Sequence, residues 1–205
     1  MISQAILKAL KKKVGCKTIG DPKFLGNSVL NQCFEYETDK GRFFIKVSSS
    51  GDLDAIAAEA KALEMIDETK TLKVPKPHYF GYFEQQVFLI LESLDLMPHT
   101  QKSFALLGQK LAHLHQIKTQ EVFGFPIDNL LGNTLQPNSF DNSWTHFFKE
   151  KRLRYQFKIN HEKYDDSELK DLGDKVIERI DRYFADIDIT PSLLHGDLWG
   201  GNTAQ

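Results

Sequence analysis

The segment His195-Gly196-Asp197-Leu198-Trp199-Gly200-Gly201-Asn202 places a carboxylate five residues before a carboxamide, with glycines around both. A carboxylate that orients a hydroxyl and takes its proton, beside a neutral oxygen ligand for a metal ion, is what phosphoryl transfer asks of a protein. Glycines allow backbone and metal to approach closely. The competing reading is an ordinary turn in which His195 and Asp197 satisfy local backbone donors. The tryptophan, the paired glycines and the apolar, strand-like Leu193-Leu194 ahead of the segment favour chemistry over a turn.

The Asp-to-Asn spacing is that of the catalytic loop of protein kinases. A second feature fits the same chemistry. Lys46 sits inside the apolar run Phe43-Phe44-Ile45-Lys46-Val47, where a cation is costly to bury unless something pairs with it. Phosphate oxygens and a carboxylate from a helix would do so, and Glu59 is the expected partner, with Glu64 its rival. Alone, Lys46 would read as an edge-strand lysine facing solvent. The stretch from Phe24 to Gln32 has one glycine where protein kinases use several. Asn27, Ser28 and the backbone amides there are candidate phosphate contacts, or the stretch is a plain turn. At Leu89 to Leu94 an apolar run meets a connector, the position at which a kinase hinge offers backbone groups to adenine, here from Glu92 and Leu94; a plain interlobe linker would look the same.

These groups need a scaffold, and periodicity supplies one. Gln32 to Thr38 and Arg42 to Val47 read as strands joined by a turn at Asp39-Lys40-Gly41. Asp52 to Thr69 spaces Leu53, Ile56, Ala57, Ala60, Leu63 and Ile66 as a helix with one packed face. Val74-Pro75-Lys76-Pro77 ends that region. His78 to Glu84 and Gln86 to Leu91 follow as strands, the second apolar throughout and so covered on both faces. Ser103 to Ile117 predicts a helix with Ser103 as its N-cap, in which His113 and His115 read as core or supporting histidines. A turn-rich stretch from Phe123 to Ser143 precedes an aromatic, basic helix near 144–159 and a charged one near 167–185. Residues 1–10 predict an amphipathic surface helix. The expectation is an α+β fold in two lobes: residues 1–93 with an antiparallel sheet and a helix, and residues 94–205, mainly helical, with the catalytic loop.

Composition narrows the partners. The 205 residues are 41% hydrophobic, and 26 basic residues nearly balance 28 acidic ones, so neither nucleic acid nor a membrane surface is indicated. No window reaches the roughly 18 apolar residues of a membrane span. Cys16 and Cys33 form neither a disulfide framework nor a zinc motif, which favours a reducing cytoplasm. Nothing specifies an oligomeric state.

Beyond the octapeptide, several segments bear a family resemblance: Leu111-Ala112-His113-Leu114-His115, Phe123-Gly124-Phe125, Gln136-Pro137-Asn138, Trp144 with Phe147-Phe148, Arg152-Leu153 with Gln156, Val74-Pro75-Lys76-Pro77 and Tyr36-Glu37-Thr38-Asp39. In residues and order the chain resembles the fructosamine (ketosamine) kinases over nearly its whole length. The resemblance implies a protein-kinase-like fold of the aminoglycoside and choline kinase branch. It implies ATP-dependent phosphorylation of a sugar hydroxyl on free or protein-bound ketosamines, with magnesium, in the service of deglycation. Asp197 is then the catalytic base, Asn202 a magnesium ligand, Lys46 the phosphate-binding lysine and Glu59 its partner. Trp199, with His195 nearby in sequence, would meet the substrate; the indole either covers a sugar face or packs within the helical lobe. The family continues past its catalytic loop to a second metal-binding aspartate, which the sequence through Gln205 does not supply, so the chain is expected to turn over little by itself. An aminoglycoside, choline or homoserine kinase, or a nucleotide-binding pseudokinase, are the alternatives.

Overall fold

The computed structural model describes residues 2–27, 31–49, 51–132 and 134–205. Helix α1 (Ile2–Ala9) runs into a wider π turn (Leu10–Val14). Five strands follow: β1 (Lys23–Asn27), β2 (Asn31–Thr38), β3 (Gly41–Ser48), β4 (Pro77–Phe83) and β5 (Gln86–Glu92), with α2 (Leu53–Thr69) between β3 and β4. They form one antiparallel sheet in the order β1-β2-β3-β5-β4. Helix α3 (Gln101–Gln116) and a two-stranded ribbon of β6 (Asn129–Leu131) and β7 (Thr134–Gln136) come next. Helix α4 (Trp144–Phe147), a π-turn segment (Phe148–Arg154) and α5 (Tyr155–Tyr164) are continuous in sequence, and α6 (Ser167–Tyr183) follows. The chain divides into two compact units, residues 1–114 with 197–205, and residues 115–196.

In the first unit, strand alternation sorts side chains onto two covered faces. Phe43, Ile45, Val47, Phe88 and Ile90 join Ile6, Ala9 and Leu10 in one core cluster. Val87, Leu89 and Leu91 join Ile56 and Ala60 of α2 in the other, with Phe44 and Leu63 packed against it. Strand β5 therefore contributes to both clusters, which is why its sequence is apolar without a break. Each such side chain, taken fully out of water, stabilises the fold by about 1.5–3 kcal/mol before entropy is counted. The amino-terminal helix belongs to this core as well as to the surface: Ile6 and Leu10 are fully buried. This is the amphipathic helix expected, its apolar face buried and Gln4, Lys11 and Lys12 exposed.

Three local expectations change. Helix α3 begins before Ser103, and Thr100 is its cap: Thr100 Oγ1 accepts from the Ser103 N–H at 3.2 Å, while Ser103 Oγ accepts from the Thr100 N–H at 2.8 Å. This is a reciprocal capping box with serine in the place usually taken by Glu or Gln. Phe24 to Asn27 is strand rather than loop, with a register shift between Phe24 and Gly26; Gly26 has φ 135°, which favours glycine. Leu193-Leu194 pairs with no strand among the described residues; Leu193 is buried and Leu194 is exposed.

The second unit contains four of the segments that carry the family resemblance outside the loop. Asn138, buried, donates to the Ile127 carbonyl and to Asn129 Oδ1, and its N–H donates to Asp128. Arg152 donates to the Pro137 carbonyl at 2.7 Å and to Asn138 Oδ1 at 2.6 Å, with its guanidinium over the Phe147 ring. Trp144 stacks on Phe148 and meets Phe123 and Phe184. Gly124 takes φ 127°, and a Cβ there would stand 2.6 Å from the Asn138 carbonyl oxygen. Together these residues form a packed frame.

Candidate active site

The alternation that builds the cores also aims Lys46. It lies one residue from Ile45 and Val47 and two from Phe44, so it shares the α2-facing side of β3 with Phe44. Its Nζ donates to Glu59 Oε2 at 2.6 Å, both side chains being partly buried. Glu59 follows Ile56 by three residues, so the buried face of α2 carries it toward the sheet. The rival Glu64 pairs with Lys61 instead, at 3.7 Å. Cys33 stands opposite Lys46 in the β2–β3 ladder. Burial pushes its thiol pKa up, the positive charge of Lys46 offsetting only part of this, so Cys33 remains a thiol rather than a thiolate near neutrality.

The loop from Asp197 packs with the sheet unit. Asn202 Nδ2 donates to Asp197 Oδ2 at 2.8 Å and to the Asp197 carbonyl at 2.9 Å. A single 3₁₀ turn, Gly200–Asn202, closes with the Asn202 N–H donating to the Trp199 carbonyl at 2.9 Å. Both Asp197 and Asn202 are exposed. Beyond the turn, Gln205 and Met97 exchange both backbone hydrogen bonds, at 2.9 and 3.0 Å, tying the loop to the connector that follows β5. Nothing in either local sequence signals this bridge.

Beside it lies a cavity of about 470 Å³, lined by Leu96, Met97, Pro98, His99 and Phe104 and by Gly200, Thr203 and Ala204. His99 stacks on Phe104 with ring centroids 4.3 Å apart, and its Nδ1 meets Ser103 Oγ at 3.0 Å. Apart from Gly200, these lining residues escaped sequence reasoning. The only hint is an exposed apolar pair, Leu96-Met97, in a connector. The connector itself is tethered. Glu92 accepts from Lys73 at 2.7 and 2.9 Å, which holds its carboxyl below the usual glutamate range against the opposing effect of burial. Arg42 pairs with Asp95 and with Glu35, and Ser93 Oγ donates to Glu35.

The remaining candidates are placed as follows. Asn27 ends β1, exposed and opposite Gln32; Ser28 lies outside the described residues. Leu94 is half-buried just past β5. Trp199 is 62% exposed. His195 is half-buried and belongs to the second unit. His113 and His115, expected as core or supporting histidines, are exposed and so are not core residues. Among the described residues no group of three or more His, Cys, Asp or Glu is arranged to hold a metal. The donors in the loop are one carboxylate and one carboxamide oxygen, hard ligands that suit magnesium, an ion usually bound by one or two carboxylates with phosphate and water oxygens completing its shell.

Comparison with known proteins identifies first the class and then the family. A thermostable aminoglycoside phosphotransferase mutant superposes with TM-score 0.54 at 14% identity, covering 88% of this chain and 60% of that one, and so shares its kinase-like fold. A provisionally named fructosamine-3-kinase of Haemophilus somnus 129PT superposes with TM-score 0.82 at 28% identity, over 98% of this chain and 67% of that one. The protein-ribulosamine 3-kinase, chloroplastic, of Arabidopsis thaliana is 38% identical over 88% of this chain and 56% of its own length. The provisionally named ketoamine kinase YniA of Escherichia coli K12 is 34% identical over 98% of this chain and 69% of its own length. The fructosamine kinase family profile matches residues 2–205, and the chain belongs to that family. It spans a little over half to about two thirds of the length of the curated relatives it matches.

Proposed function

We propose that the protein transfers the γ-phosphoryl group of ATP to a sugar hydroxyl of ketosamines, free or protein-bound, and so takes part in deglycation. The observation that carries this reading is the hydrogen-bonded Asp197 and Asn202 in the loop of a chain belonging to the fructosamine kinase family. Relatives named for ribulosamine and ketoamine substrates support the acceptor class.

Lys46, oriented by Glu59, holds phosphate oxygens. Asp197 orients the acceptor hydroxyl and takes its proton as the new oxygen–phosphorus bond forms and the bond to ADP breaks. Asn202 would hold a magnesium ion through its carboxamide oxygen, and that ion, when bound, neutralises charge on the phosphates. The nucleoside lies along the connector, with Glu92 and Leu94 offering backbone groups to adenine and the apolar cavity beyond them. Asn27 and Ser28 contribute at the phosphates. Residues 1–93 serve as the ATP-binding lobe and residues 94–205 carry the catalytic and acceptor groups, among them Trp199 and His195.

A reducing compartment such as the cytoplasm suits two unpaired cysteines; the Arabidopsis relative is named chloroplastic. Among the described residues no helix is long and apolar enough to cross a membrane.

The test is ATP consumption by the full-length gene product with magnesium and a panel of fructosamines and ribulosamines, against choline and aminoglycosides. Turnover with the ketosamines is expected. Turnover confined to choline or aminoglycosides would overturn the assignment.

A further inference from the structure

The two adjacent glycines of the loop meet different surroundings. A Cβ built on Gly200 touches nothing within 4 Å. One built on Gly201 would lie no more than 2.7 Å from three atoms of the benzo ring of Trp199, Cη2, Cζ2 and Cζ3, closer than real Cβ contacts allow. Gly201 is absent from the glycines with positive φ, so its backbone conformation is open to any residue. A side chain at 201 therefore has to displace the indole, which occupies that space.

The turn that holds this contact is closed at both ends. The Asn202 N–H donates to the Trp199 carbonyl, and the Asn202 carboxamide donates to Asp197. The indole is otherwise largely in solvent, at 62% exposure. A large exposed aromatic held against its own turn, two residues from the candidate base, has its apolar surface presented rather than buried.

We propose that Gly201 is a positioning residue: its missing side chain is the seat of the Trp199 indole, and the seated ring is the platform on which the acceptor's sugar rests as its hydroxyl meets Asp197. This rests on the ketosamine kinase reading given above. Gly201 acts through Trp199 and touches neither ATP nor acceptor. A side chain at 201 tilts the ring and loosens acceptor binding while leaving ATP binding alone.

The full-length gene product labelled with 5-fluorotryptophan gives a direct readout, the Trp199 signal being identified by its loss in Trp199→Phe. Gly201→Ala is expected to shift the Trp199 resonance, whereas Gly200→Ala leaves it in place. With a fructosamine acceptor, Gly201→Ala raises the acceptor KM several-fold with the ATP KM unchanged. In the Trp199→Ala background the same substitution adds nothing, because the two residues act as one unit. An unmoved resonance in Gly201→Ala, or additive kinetic losses in the double variant, overturns the proposal. Should Gly201→Ala lose its dispersed spectrum, Trp199→Ala/Gly201→Ala is expected to regain it, and failure to regain it also overturns the seat. Absence of turnover with every ketosamine would sink the functional reading instead, and the resonance of Trp199 would still decide the seat.

Discussion

Asp197 and Asn202 are joined by a hydrogen bond in which the aspartate is only an acceptor. Asparagine at 197 keeps an acceptor oxygen in the same place and removes the charge and the proton-accepting capacity. Asp197→Asn is therefore expected to preserve the turn and ATP binding while lowering kcat by about 10²–10⁴-fold, the usual contribution of a general base. Kinetics with nucleotide binding measured by calorimetry would check this, and a kcat within a few-fold of the native value would remove Asp197 from the base role. Lys46 shows how a residue's setting outweighs its local sequence. An isolated lysine in a strand is most simply a solvent-facing one, yet here strand alternation turns it toward α2, and Glu59 neutralises it.

At the scale of elements, the connector after β5 is held from two sides, by Lys73 through Glu92 and by Arg42 through Asp95 and Glu35. The Lys73 pair makes a pH prediction. The folded-state pKa of Glu92 lies below its ordinary value because the Lys73 ammonium donates to its carboxylate. A carboxyl depressed on folding stabilises the native state above its unfolded pKa, and that stabilisation is lost as pH falls through the folded value. The advantage of the native protein over Lys73→Met in urea midpoint should thus be present near neutrality and fade below the ordinary glutamate value of 4.5. A difference that stays constant across that range would exclude the pair as its source. The effect is small, since Lys73 is largely exposed and solvent screens the pair. The cap of α3 belongs to the same scale: Thr100 and Ser103 fix where the helix starts, and so where the connector ends.

For the molecule as a whole, the sheet unit has its two clusters on opposite faces of one strand. Amides of β5 from Val87 to Leu91 should exchange with solvent only when the unit unfolds, and should be the slowest in the protein. Backbone amides near Leu96 to Thr100, where Leu96 and Met97 are exposed, should exchange far sooner. Hydrogen-exchange mass spectrometry measures both, and equal rates for the two segments would contradict the packing described for β5.

Much of this was legible in the amino-acid sequence. Period-two alternation in β2 and β3, the unbroken apolar run of β5, the helical spacing of α2 and the proline-rich stop before β4 each reflect local geometry, and these five elements lie within a residue or two of their expected positions. By contrast, β1, β6 and β7 are not expected as strands, and the aromatic helix expected to end near 159 runs to Tyr164. The octapeptide and the wider resemblance named the family, and several of the resembling residues outside the octapeptide build the frame around Asn138 and Arg152. Only the tertiary structure decided which partner each side chain takes. Thr100 rather than Ser103 caps α3, Met97 bridges to Gln205, and Trp199 rests on Gly201, while the Glu59 partner of Lys46 is already the one expected. Most of these choices turn on distances between segments remote in sequence or on sub-ångström clearances at a single Cβ, which local periodicity does not encode.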